Sequence, residues 1–435
     1  MLVRFDRFDR SWRGLRLPAV AVVGVSVVFG FVGSAGAAVY TPIDGPSLAA
    51  DLAAANASPP PNTIVLADTG ENYLPTTPLV ISQSGLTITG LHNDQQQDGG
   101  PVLDGSAELN PDADFVVVDP GVSATFEGFT VTGATDSNAS YAAIRDDGTL
   151  ELDNVELSGS NGPQLSLTSP GKATIINSGI SDGLSAGLVV PAGASATLIN
   201  STVSNNGIDG IQPSSTGSNV TLDNTVVAYN APKNCVKKLT TAGDDSLDSD
   251  GSCGVKYSDL DPLLGPTLDN NGPTPSELPG AGSPVIGAGD PAICPATDQR
   301  FFVRGTGCDI GSVQVNATQD TTPPVCAVTS TNYPGVNGFS GTAAQQTVTG
   351  TDPGGSGFGN AGASDADAAG GADATFNNGA FSDISISNGS FVAPALPDPA
   401  AFVPLSITAT KANQTQSTKW SFYLTDWAGL TTYCH

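Results

Sequence analysis

The sequence predicts an all-β chain: a right-handed parallel β-helix covered at its start by a short helix, then a C-terminal β-sandwich. Three observations carry this prediction. Residues 123–230 repeat one pattern about every two dozen residues. Within each repeat, apolar and short polar residues alternate as strands require. Gly and Asn recur where one strand must turn into the next.

The repeat is plainest around Gly128, Asn154, Asn177, Asn200 and Asn224, which are spaced by 26, 23, 23 and 24 residues. Such a period marks a stacked architecture, whose units are too short to bury an apolar face alone. Leu152, Ile175, Leu198 and Leu222 stand two residues before the turn Asn; Leu157, Ile180, Val203 and Val227 stand three after it. A leucine-rich repeat of similar length would need a helix-forming half. These units are instead rich in Thr, Val, Ser and Gly, so each coil should add one strand to each of several parallel sheets, about 4.8 Å from the last. The turn Asn residues are expected to form a ladder, bonding amide to amide from coil to coil and satisfying buried turn backbone. The functional reading of the same row is a polar binding stripe.

Residues 1–37 have the form of a secretion signal: five Arg between positions 4 and 16, an apolar run over 17–32, and a small-residue site at Ala35-Gly-Ala37. An uncleaved anchor would need a longer apolar span, and no later segment suits a bilayer. Residues 45–56 read as an amphipathic helix, with Ser47 as N-cap and Leu48, Leu52 and Ala55 on one face. Such a helix would cover the exposed strand edges of the first coil. Residues 62–66 and 79–81 read as first strands. Residues 85–90 open a second coil, and a long loop precedes the strand at 114–118. The pattern runs to Asn230 and fails over 231–253. The predicted organisation is therefore a signal over 1–37, a capped β-helix over 38–230, a C-terminal cap over 231–317, a linker over 318–325 and a sandwich over 326–435. In the last part, residues 347–352, 382–386, 405–410 and 420–429 alternate like strands, and the Gly/Ala/Asp-rich residues 354–379 read as a long loop.

Composition narrows the setting. The 435 residues include 52 Gly and 32 Pro but only 13% charged side chains, which suits a turn-rich β protein. Removing the signal takes five Arg and two Asp and moves the formal charge from −27 to −30. That sign excludes a nucleic-acid or polyanion partner without a local basic surface. All six Cys follow the repeats, and an even number in an exported chain points to disulfides. Local pairing is expected: Cys235–Cys253 and Cys294–Cys308 in the irregular cap, and Cys326–Cys434 between the first and last strands of the sandwich.

Five motifs then occur in a fixed order: Leu260-Asp-Pro-Leu-Leu-Gly-Pro266, Asp269-Asn-Asn-Gly-Pro-Thr-Pro-Ser276, Gly282-Ser-Pro-Val-Ile-Gly-Ala-Gly-Asp290, Cys294-Pro-Ala-Thr-Asp-Gln-Arg300 and Gly307-Cys-Asp-Ile-Gly311. Together they closely resemble the choice-of-anchor Q domain, which closes many exported bacterial β-helix repeat proteins of the pectin-lyase-like superfamily. The resemblance covers roughly residues 47–313. It departs at Phe301-Phe-Val-Arg304, where the family has a Gly- and Pro-containing stretch, and in a shortened Gly-rich run. It implies an exported β-helix and no defined reaction. The terminal strands and their Asp426-Trp-Ala-Gly429 turn resemble bacterial Ig-like repeats.

Polysaccharide enzymes use this architecture, so chemistry must be sought. A uronate lyase needs a base and a neutralising cation. Between residues 38 and 230 the basic residues are Arg145 and Lys172, with His92 as the lone His, and Arg145 precedes Asp146-Asp147 in a turn. A glycosidase needs two carboxyls, about 5 Å or about 6.5–9.5 Å apart. The repeat alignment places Glu127 and Asp153 on adjacent coils, with Glu151 and Glu156 near them. The expectation for these four is a solvated acidic face; a cation site or a catalytic pair are the alternatives, with Arg145 as the accompanying cation. Asp248 and Asp250 lie in an acidic turn that lacks the EF-hand spacing, since Tyr257 stands where the bidentate Glu belongs. No cofactor is expected, with calcium left open. The expected function is a secreted or cell-surface non-catalytic module for adhesion or for binding a polysaccharide or cell surface, with no nucleic-acid partner and an open oligomeric state. The alternative is a carbohydrate-active lyase, hydrolase or epimerase.

Overall fold

The structure is a computed structural model. It describes residues 38–323 apart from 92–98, 110–111, 136–139, 215–218 and 240–244, and beyond them the backbone of seven further strands with a few flanking residues. The signal segment and His92 lie outside the described residues.

Residues 38–258 wind into a right-handed parallel solenoid of about eight turns. Each full coil contributes one strand to each of three parallel sheets. The first sheet has eight strands, with Ser123–Glu127, Thr149–Asp153, Lys172–Ile176, Ser195–Ile199 and Asn219–Asp223 in register at its regular end. The second also has eight, including Glu156–Ser158, Gly179–Ser181, Thr202–Ser204 and Val226–Ala228. The third has six, from Leu79–Ile81 to Ile211–Pro213. The second sheet continues past Asn230 through Leu247–Asp248 and Tyr257–Ser258. The sequence pattern fails there because two-residue strands are too short to show a period.

Register explains the core. Phe126, Leu152, Ile175, Leu198 and Leu222 stack from coil to coil, as do Val131, Leu157, Ile180, Val203 and Val227. All ten are 0% exposed. Each such side chain contributes about 1.5–3 kcal/mol through burial. The helix Gly45–Ala57 closes the first coil, burying Leu48, Leu52 and Ala55. Ser47 is not its N-cap. Asp44 is, accepting from the Ser47 backbone N–H at 2.8 Å, while Ser47 Oγ accepts from the Asp44 N–H at 2.9 Å. This is a capping box.

The two-residue turn from first to second sheet needs a left-handed residue. Gly128 has φ 69° and the four turn Asn have φ between 44° and 55°. A second left-handed row follows five residues later, at Gly133, Gly159, Asp182, Asn205 and Tyr229. The turn Asn side chains do not form the expected ladder. Asn224 donates to Asn200 Oδ1 at 3.1 Å, but the row otherwise bonds to residues 290–311. The coil-to-coil ladders lie elsewhere. Asn206 Nδ2 donates to Asn230 Oδ1 of the next coil (2.9 Å), and Asn230 Nδ2 donates to Asn234 Oδ1 further along its own coil (3.1 Å). Ser178, Ser201 and Ser246 accept from backbone N–H groups of the preceding coils.

Residues 260–318 lack regular structure and run back along the solenoid as a strap. It crosses the turn Asn row: Asn224 exchanges bonds with Asp290, Asn200 donates to the Asp309 carbonyl, Asn177 accepts from Arg304, and Asn154 donates to the Asp298 carbonyl. At its far reach, a Cβ at Gly100 would strike the Pro273 carbonyl. The strap covers the outer face of the second sheet, whose outward residues Glu156, Thr202, Ser204 and Val226 are buried.

Cys235 pairs with Cys253 and Cys294 with Cys308, as expected. The side chains of Cys326 and Cys434 are outside those described. The C-terminal strands form two antiparallel sheets, one of Val325–Ser330, Gln345–Thr351, Leu405–Lys411 and Ile384–Asn388, the other of Phe358–Asp365, Trp420–Asp426 and Thr431–Cys434. The strand Phe358–Asp365 falls inside the segment read as loop; its Gly and Ala content hid a strand that Trp420–Asp426 pairs.

Candidate functional site

A three-sheet solenoid has three outer faces, and the strap occupies one. The acidic patch expected from sequence is divided by this arrangement. Glu127, Glu151 and Asp153 point outward from the first sheet, whereas Glu156 is carried round the Asn154 turn onto the second sheet and is 2% exposed. Two residues at a left-handed corner separate Asp153 from Glu156, so they face different surroundings. The expected solvated face does not extend to Glu156. Glu156 lies beneath the strap; Glu127 and Asp153 are half-buried.

Glu127 and Asp153 are direct register partners, hence about one strand spacing apart. Burial, then the neighbouring Asp153 and Glu151, pushes Glu127 to about 8. Burial, then Glu151, pushes Asp153 to about 7. Burial also raises Glu151. Asp153 Oδ1 is buried without a hydrogen-bond partner. Backbone register at one strand spacing is compatible with the carboxyl separation of about 5 Å in a retaining glycosidase pair, which needs one carboxyl ionised and the other protonated. Arg145 does not accompany it. It stands on the third sheet, paired with Asp114 at 2.9 Å and Asp147 at 3.2 Å. Lys172 is at the far end of its strand from this pair and is exposed. Arg300 is committed to Asp298 (2.6 Å), the Gln314 carbonyl (2.9 Å) and the Phe302 ring.

The acidic turn is structural in its contacts. Asp248 accepts from Asn234 Nδ2 (2.8 Å) and the Cys253 N–H (2.7 Å). Asp250 accepts from the N–H groups of Asn234 and Ser252, both at 3.0 Å. Burial raises the Asp248 carboxyl. Burial would raise Asp250 too, but hydrogen bonds led by Ser252 and Asn234 hold it at about 2. Both carboxylates thus brace the Cys235–Cys253 loop. Among the described residues, no group of three or more His, Cys, Asp or Glu is placed to hold a metal ion.

Two features were not read from the sequence. One is a column on the outer face of the first sheet: Thr63, Thr87, Thr125, Glu151, Thr174, Thr197 and Thr221 are successive register partners, all partly exposed. Beside it run Ser123, Thr149, Lys172, Ser195 and Asn219. The repeat carries the signal, since the regular members stand three residues before each turn residue. The other is the meeting of Glu156 with the strap. Its Oε1 accepts from Ser181 Oγ (2.5 Å) and its Oε2 from Gln299 Nε2 (3.1 Å). Glu277 follows on the same face, accepting from Ser204 Oγ (2.6 Å) and Asn205 Nδ2 (2.8 Å). Burial, tempered by these bonds, pushes Glu156 to about 8 and Glu277 to about 7. No repeat alignment could pair residues 121 positions apart across an irregular segment.

No curated protein matches the chain. Residues 115–281 match the family described as a right handed beta helix region, a span that begins within the solenoid and ends within the strap. With the eight-turn coil, this match makes the chain a parallel β-helix repeat protein.

Proposed function

We propose that the chain is an extracellular or cell-surface binding module that takes an extended polysaccharide, or a surface bearing one, on the outer face of its first sheet. The carrying observation is the in-register Thr column from Thr63 to Thr221, with Glu151 within it. A parallel sheet repeats its side chains at about 4.8 Å. Six Thr hydroxyls on one line, with the Glu151 carboxyl among them, therefore offer repeated hydrogen bonds to a polymer rich in hydroxyls. Hydroxyls of Thr lose little entropy on ordering, since the β-branched side chain is already stiff. Two disulfides support an oxidising compartment, as does the form of residues 1–37. The strap motifs support a choice-of-anchor Q domain, and the terminal sheets suit an Ig-like spacer.

The test is a glycan array with the mature protein, followed by the Thr174→Val and Thr197→Val double variant. Val keeps the strand and core and removes two hydroxyls. Binding that falls at least tenfold supports the reading; binding unchanged by the variant removes the Thr column from it. The Glu127–Asp153 pair favours a second reading, a glycoside hydrolase. A polysaccharide-cleavage screen with and without calcium tests it. Turnover abolished by Glu127→Gln or Asp153→Asn in a folded protein would replace the binding reading with the enzymatic one.

A further inference from the structure

Under the strap lies a small pocket with room for about one water molecule, walled by Glu156, Ser181, Thr202 and Ser204 of the second sheet and by Glu277 and Gln299 of the strap. Its lining is oxygen-rich and holds two carboxyls, 2% and 5% exposed. The ion pairs of the described residues involve Arg145, Lys256 and Arg300, none with Glu156 or Glu277. Gly179 is the register partner of Glu156, and a Cβ there would collide with the Glu156 carboxylate, so glycine leaves the space in which that carboxylate lies. A separate observation points to a ligand. Gln299 is 0% exposed and lines the cavity, and its Oε1 is buried with no hydrogen-bond partner. An orphan carbonyl oxygen in a buried polar site is costly unless something binds it.

We propose that this cavity is a calcium site, in which Glu156 from the solenoid and Glu277 and Gln299 Oε1 from the strap ligate one Ca²⁺ and so clamp the strap to the second sheet. The chemistry selects the ion. Hard cations take oxygen ligands, and calcium accepts six to eight in irregular geometry at about 2.3–2.6 Å. The two carboxylates, the Gln299 carbonyl and the Ser181, Ser204 and Thr202 hydroxyls can supply that number. Magnesium keeps several waters and demands a near-octahedral shell, for which a one-water cavity has no room. The site is distinct from the Thr column and does not depend on glycan binding.

The experiment uses the mature protein, stripped of metal and titrated with CaCl₂ alone by calorimetry. One ion per chain is expected. Calcium at a hundredfold excess over the dissociation constant should stabilise by about 2.7 kcal/mol and raise the melting temperature by a few degrees. The Glu156→Gln and Glu277→Gln double variant should lose the response while retaining its circular dichroism. Should that variant fail to fold, hydrogen exchange of the unmutated protein decides: calcium is expected to slow exchange in residues 274–300 and in Gly179–Ser181 and Thr202–Ser204. No calcium binding, binding that survives the double variant, or protection confined to other segments would overturn the proposal; the last two would place any ion elsewhere.

Discussion

Asn224 offers the sharpest test of how the strap is held. Its backbone is left-handed, at φ 49°. Its Nδ2 donates to the Asp290 carbonyl (2.9 Å) and to Asn200 Oδ1 (3.1 Å), and its Oδ1 accepts from the Asp290 N–H (2.7 Å). Asn224→Ala removes three hydrogen bonds, at about 1 kcal/mol each, and keeps a Cβ in the left-handed region where one already stands. The total is about 3 kcal/mol. Asn224→Gly loses the same bonds but relieves the backbone, at a smaller cost in chain entropy, so it should destabilise by about 1 kcal/mol less. Urea unfolding followed by near-UV circular dichroism measures the total. Because a solenoid can open in parts, limited proteolysis within residues 260–318 follows strap release separately and should quicken in both variants. An Ala variant within about 0.5 kcal/mol of the parent, or a strap no more sensitive to protease, would refute the view that the turn Asn row is the strap's dock.

Three further outcomes are expected. Glu127 and Asp153 hold protons in the folded chain that the unfolded chain releases, so stability is fully present below about pH 4 and falls as pH rises toward 8. The ceiling for Glu127 alone, from 4.5 to about 8, is about 5 kcal/mol, and partial exposure reduces it to about 1–2 kcal/mol; Glu127→Gln should flatten the pH dependence of urea midpoints by that amount. Leu52→Ala, at a helix position 3% exposed, should cost about 2–5 kcal/mol in urea unfolding, and deletion of residues 45–56 should yield aggregate by light scattering. Replacing Cys235 and Cys253 by Ala opens a loop of 18 residues and should cost about 3 kcal/mol in the same unfolding assay, while non-reducing peptide mapping should recover Cys326 joined to Cys434.

The repeat itself was fully legible. Leu152, Ile175, Leu198 and Leu222 announced one inward column, and the turn Asn announced the left-handed corners, because both follow from local periodicity and backbone sterics. The site was legible only in pieces. Glu127 opposite Asp153 came from the alignment, since register in a regular coil is arithmetic. Glu156 was grouped with them because it lies three residues on, and only the corner shows that it faces another sheet.

What the sequence determined by itself is the coil: its period, its core columns, its covering helix and its two local disulfides. Each is set by residues within about one repeat of one another. What tertiary structure alone decided is the course of residues 260–318, and with it the fate of everything beneath. The strap has no periodic pattern, so nothing local could say that Asn154, Asn177, Asn200 and Asn224 would bond to it rather than to each other. Nor could it say that Glu277 and Gln299 would meet Glu156 in one small pocket. A buried polar group must find a partner, but which partner depends on contacts 66 to 144 residues away along the chain.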